Sequence, residues 1–90
     1  MAEDEVILRV SGSSSATALA SAVSHGIYEG KKITLRAIGA ASVNQAMKAV
    51  AIAAHHVGPR GMVLAVRPGF ADVNMPDGQV TAMVFRVLVE

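Results

Sequence analysis

Gly39, Ser42 and Gln45 stand where an apolar, strand-like run turns into a helical pattern, and the first chemistry this suggests is the binding of an anion. A strand that enters a helix in this way presents unpaired backbone N–H groups at the positive end of the helix dipole, a setting that favours phosphate. Ser42 and Gln45 have the Ser-x-x-Gln spacing of a capping box, so the helix is expected to begin at Ser42. A second corner follows the first strand-like run, where Ser13, Ser14 and Ser15 each offer a helix N-cap. Between Gly30 and Ala71 the chain carries six basic residues, Lys31, Lys32, Arg36, Lys48, Arg60 and Arg67, and no acid, although its formal net charge is only +1. Such a cationic middle points to an anionic partner. Asn44 and Lys48 share a helix face and could contact a backbone phosphate and a sugar or base edge. Capping alone accounts equally well for Ser42, Gln45 and one of the serines, and a solvated face accounts for Asn44 and Lys48.

Other chemistries find little support. His55 and His56 are adjacent, so on a helix their rings diverge by about 100° and cannot chelate one metal ion. No cysteine is present, which removes thiolate sites and disulfides and makes a reducing cytoplasm the expected compartment. Ser, His and Asp occur, but without a nucleophile elbow, and the serine loop lacks the GxxxxGK[ST] pattern of nucleotide hydrolysis. The expectation is a non-enzymatic protein with no cofactor and no metal.

Ninety residues suffice for one domain, residues 1–90, with residues 1–5 expected to be a flexible acidic N-terminus. No apolar stretch approaches the ~20 residues that span a bilayer, and the acidic start is unlike a signal peptide. The chain has only three aromatic residues, Tyr28, Phe70 and Phe85, which removes the usual stacking platform of sequence-specific single-strand binders. Val6–Val10 alternates like a half-buried strand, and Ala16, Leu19, Ala20, Val23 and Ile27 follow at helical spacing, with Gly26 or Gly30 available to end that helix. A second strand is expected near Ile33–Ile38. In the second helix Val43, Ala46, Met47, Val50, Ala54 and Val57 form the apolar stripe, and Asn44, Lys48 and His55 the polar one. Gly58-Pro59 stops it. Strands are then expected at Met62–Arg67 and Val80–Val89, joined across Pro76-Asp77-Gly78 as a hairpin. The intervening segment, with Phe70, Asn74 and Met75, could serve as a minor-groove arm, but its acids favour a structural hairpin.

The order βαβαββ with right-handed crossovers predicts an α/β two-layer sandwich, a four-stranded mixed sheet with two helices on one face. With Leu8, Leu35, Leu64 and Phe85 toward the helices, the other face holds Arg9, Arg36 and Arg86 among Ile7, Thr34, Val63 or Val84. An open face of this kind suggests a binding or oligomer surface, and with Ile52 on the flank of the second helix it predicts a homodimer or higher even oligomer.

These same residues carry a resemblance. AIGAASVNQAMKAVAIA, the opening VILRVSGSSS, the phrase RPGFADV and the ending TAMVFRVLVE resemble the stage V sporulation protein S family, over nearly the whole chain. Around Ile27–Lys32 the chain departs from shorter members, Tyr28 and Lys31-Lys32 enlarging the first helix-to-strand loop. The resemblance implies an Alba-like fold of the kind used for DNA and RNA binding, a dimer, and a regulatory role in sporulation or a related programme. The reading is therefore a small nucleic-acid-binding regulator that contacts phosphates through Ser13, Ser14, Ser15, Lys31, Lys32, Arg36, Asn44 and Lys48. Two alternatives are a protein-interaction scaffold of a developmental pathway that uses the open sheet face, and a phosphate or nucleotide sensor that uses only the helix N-termini.

Overall fold

The structure, a computed structural model, describes residues 4–90. Its elements are β1 (Glu5–Val10), α1 (Ala16–Tyr28), β2 (Lys32–Ala37), α2 (Ala40–Val57), a 3₁₀ turn (Gly58–Arg60), β3 (Leu64–Met75) and β4 (Gly78–Val89). Of the acidic N-terminus expected over residues 1–5, residues 1–3 lie outside the described residues, and Glu5 already belongs to β1. The sheet runs β1-β2-β4-β3, with β1 parallel to β2 and the other neighbours antiparallel. Among the described residues no helix is long and apolar enough to cross a membrane.

Strand alternation sorts the side chains as the pattern requires. Val10, Ile33, Leu35, Ala37, Phe85 and Val87 enter the core beneath the helices, with Leu8 and Leu64 packed against it. α1 begins at its Ser15 cap, whose side chain accepts from the Ala18 N–H at 3.1 Å, and ends at Gly30, which takes a φ of 75°. Gly26 is no stop signal. It is buried within α1, where an added Cβ would lie 2.3 Å from Ile33 Cδ1, so the missing side chain lets the helix settle onto β2. Tyr28 forms the last turn of α1 and leaves only Glu29, Gly30 and Lys31 before β2.

Three further expectations are corrected. α2 starts at Ala40, not at Ser42, because Gly39 adopts φ 89°, ψ 159° and turns the chain into the helix without a side-chain cap. Ser42 thus lies buried in the first turn. The buried face of α2 is Ser42, Ala46, Ala49, Val50, Ala53 and Val57, leaving Met47 39% exposed. The alanines allow close approach to α1, and the larger Val43 and Met47 fall on the flank. β3, expected over Met62–Arg67, instead runs from Leu64 through Pro68-Gly69 to Met75. It is an edge strand bonded only to β4, where a residue lacking an N–H is tolerated.

Val50 is buried and Asn44 exposed. Val50→Asp would place an unpaired carboxylate in the core and is expected to cost about 3 kcal/mol or more, against no more than about 1 kcal/mol for Asn44→Ala. Chemical denaturation checks this, and equal midpoints would refute the assignment of the helix faces.

Candidate functional site

β1 and β2 are parallel, so the corners that follow them open on the same edge of the sheet. The corners touch: a Cβ at Gly12 would meet the Ala41 Cβ at 2.9 Å. Gln45, which had been expected to cap its own helix, instead donates from Nε2 to the Ser14 carbonyl at 2.8 Å and ties the serine loop to α2. The Ser14 hydroxyl accepts from the Ser11 N–H at 2.9 Å, and the Ser11 hydroxyl lies 3.1 Å from those of both Ser13 and Ser14. The serines of this loop are thus engaged in shaping the turn and capping α1. At the start of α2 the first recorded backbone bond runs from the Val43 N–H to the Gly39 carbonyl, which leaves the exposed Ala40 and Ala41 at the positive end of an 18-residue helix with no side-chain cap.

A third component comes from the hairpin. β2 and β4 pair from Thr34↔Arg86 to Ala37↔Met83, beyond which residues 78–82 of β4 pair only with β3. Because β4 is antiparallel to β2, this two-stranded arm of about 17 Å projects from the same edge as the serine loop and both helix N-termini. Its strands close across a two-residue turn, Pro76-Asp77. At the arm's base Phe70, 77% exposed, stands in register with Met83, and Met83 joins Val43 and Met47 around a hollow of about 610 Å³ that Gly39, Ala40 and Asn44 complete.

The eight residues singled out from the sequence do not converge on one site. Ser13, Ser14, Ser15 and Asn44 lie at the helix-N-terminal edge, and Lys48 follows Asn44 one turn along the exposed face of α2. Lys31 and Lys32 lie at the opposite edge, roughly 17 Å away along β2. There Lys31 pairs with Glu29 at 3.4 Å. Arg36 points to the open face of the sheet, in register with Arg9. Val63 stands on that face as expected, just before β3 and exchanging backbone hydrogen bonds with Glu90, and the β3 residue that joins the arginines is Arg67, opposite Arg86. The sequence offers the segment with Phe70, Asn74 and Met75 as an arm, but its acids favour a plain hairpin, and Arg67 counts there only as one of the basic residues, at the end of the strand expected over Met62–Arg67. The turn at Pro76-Asp77 holds the signal, since counting outward from Met75↔Gly78 pairs Arg67 with Arg86.

His56 joins the two helices. His56 Nδ1 lies 3.2 Å from the hydroxyl of Ser24, which is only 5% exposed, and its carbonyl accepts from the Tyr28 hydroxyl at 3.4 Å. Arg60 covers the Tyr28 ring at 4.3 Å. Ser24 and His56 thus join α1 to α2 with no open space for a substrate at the hydroxyl. Among the described residues no group of three metal-ligating side chains converges.

A sheet in the order β1-β2-β4-β3 with two helices on one face defines the Alba-like class. Alba from Thermoplasma volcanium shares this fold with a TM-score of 0.62 and 17% identity, over 94% of this chain and 99% of that one. The family model of stage V sporulation protein S (SpoVS) matches residues 6–90, and the chain belongs to that family.

Proposed function

We propose that this protein is a small, non-enzymatic, nucleic-acid-binding regulator of the sporulation type, and that it holds the phosphate backbone at the sheet edge where the serine loop, the start of α2 and the hairpin arm meet. The observation that carries this reading is the convergence itself: backbone donors at two helix N-termini and a projecting two-stranded arm lie on one edge of a 44 × 29 × 18 Å molecule. Backbone amides and a helix dipole read charge and shape and give affinity with little sequence preference. Asn44 and Lys48 extend this edge along α2. Family membership and the Alba-like fold support the reading, and the resemblance to a fold used for DNA and RNA binding points the same way.

The protein acts as a homodimer in this reading. Val43, Met47, Met83 and Phe70 form an apolar patch beside the edge, while Ile52, the residue first considered for self-association, packs against the core. A second copy seated on the Met47, Met83 and Phe70 end of this patch, clear of the start of α2, would bring two arms and four helix N-termini into one assembly.

Two measurements test these statements. In fluorescence-anisotropy titrations at several salt concentrations, Lys48→Ala is expected to weaken binding to all sequences alike and to lower the salt slope by about 1, whereas Lys31→Ala/Lys32→Ala, at the far edge, leaves it nearly unchanged. A parent with no affinity for any nucleic acid at ~50 mM salt would refute nucleic-acid binding and favour the scaffold reading. In light scattering, Met47→Asp is expected to yield a folded monomer where the parent is a dimer. A monomeric parent at micromolar concentration would refute the dimer.

A further inference from the structure

The face of the sheet turned away from the helices carries an arginine from every strand: Arg9 on β1, Arg36 on β2, Arg86 on β4 and Arg67 on β3. Arg9 stands in register with Arg36, and Arg86 with Arg67, while Arg36 and Arg86 are diagonal neighbours two positions apart on adjacent strands. The four form a continuous row of roughly 14 Å across the sheet. Like charges directly opposite one another destabilise a sheet. Yet among the described residues none of the four forms an ion pair with a carboxylate, and the acids on this face, Glu5 at the start of β1 and Glu90 just past the end of β4, both stand at the far edge, four residues along their strands from Arg9 and Arg86. Arg86 is steered by Thr34, whose Oγ1 accepts from its Nε at 3.3 Å, leaving the two terminal nitrogens for a ligand.

Beside the row lies an open hollow of about 420 Å³ lined by Thr34, Arg67, Pro68, Gly69, Val84 and Arg86. Gly69 is in register with Val84, so the hollow exists where β3 lacks a side chain. A Cβ there would meet only Val84 Cγ2, at an ordinary 3.5 Å. The floor is apolar and the walls are guanidinium groups, whose planes stack on nucleobases in place of aromatic rings.

We infer that this face binds single-stranded nucleic acid, its phosphates along the arginine row and one unstacked base in the hollow beside Gly69. The inference rests on the nucleic-acid reading above and adds to it a second surface and a preference for the unpaired strand. A duplex keeps its bases stacked and paired, so it could offer phosphates to the row but no base to the hollow. A second copy of the chain is the wrong occupant, because a two-fold contact through this face would set arginines against arginines. An anionic strand is complementary to it.

The test uses the full-length protein with labelled ~15-nucleotide single strands of DNA and of RNA, and a duplex of equal length, at several salt concentrations. Gly69→Leu, which fills the hollow without changing charge, is expected to weaken single-strand binding about tenfold and to change duplex binding by less than about twofold. Arg36→Gln/Arg67→Gln is expected to weaken it about tenfold or more and to lower the single-strand salt slope by about 1.4, or 0.7 for each lost phosphate contact. Removing these like-charged neighbours is also expected to leave the melting temperature equal to or above that of the parent, which separates lost binding from lost fold. If either variant fails to fold, Arg67→Lys keeps the charge but not the planar fork and is expected to weaken single-strand binding in the same sense. Unchanged single-strand affinity in the folded variants overturns the inference, as does an equal loss for duplex and single strand with Gly69→Leu, or a shift in oligomeric state with no loss of affinity. If Lys48→Ala weakens binding while the face variants do not, the edge reading stands and this one falls; the opposite result retains the face and removes the edge.

Discussion

The parallel pairing of β1 with β2 is the constraint on which the functional edge depends. Two parallel neighbours need a crossover between them, and a right-handed crossover returns the chain over one face of the sheet. Both strands therefore run out at the same edge, and both helices must start there. β4 then pairs with β2 in the antiparallel sense, so its own beginning, and the turn that leads into it, overhang that same edge. Helix N-termini, serine loop and arm come together as a consequence of strand direction, before any side chain is considered.

Small residues make this arrangement compact. Ala46, Ala49 and Ala53 line the buried face of α2, and Gly26 lets α1 rest against Ile33, so two helices cover a narrow sheet without large side chains between them. The apolar material displaced from that interface, Val43 and Met47, is found on the flank, where with Met83 it lines an open hollow near Phe70. On the other side of the sheet no described residue outside the strands packs over them, and each strand contributes an arginine. The molecule thus has a layer that holds it together and two surfaces, one of backbone donors and one of guanidinium groups, suited to anions of different shape.

Much of this was legible in the sequence. Period-two alternation located β1 and β2, helical spacing located both helices, and βαβαββ order gave the one-sided sandwich and the outward-facing Arg9, Arg36 and Arg86. Other features escaped for identifiable reasons. Ser42 and Gln45 match a capping box, but a glycine able to take a positive φ turned the chain earlier and freed Gln45 to reach Ser14. The third strand was expected to stop at Arg67 and instead runs on through Pro68-Gly69, because local residues carry no information about whether a strand lies at a sheet edge, where a proline is tolerated. The basic run from Lys31 to Arg67 looked like one patch because closeness in sequence was taken for closeness in space. Strand alternation and the length of β2 instead divide it among the far edge, the open face and α2.

In the proposed function, the edge made by the serine loop, the start of α2 and the arm holds the nucleic-acid backbone. The most direct measurement is a titration of the ¹⁵N-labelled protein with a short DNA duplex, following backbone amide shifts at ~50 mM salt, where electrostatic contacts are strongest. The largest changes are expected on Ser11–Ser15, Gly39–Asn44 and the arm turn from Asn74 to Gln79. Changes confined to the Lys31–Lys32 end of the sheet, or no changes at all, would contradict that proposal.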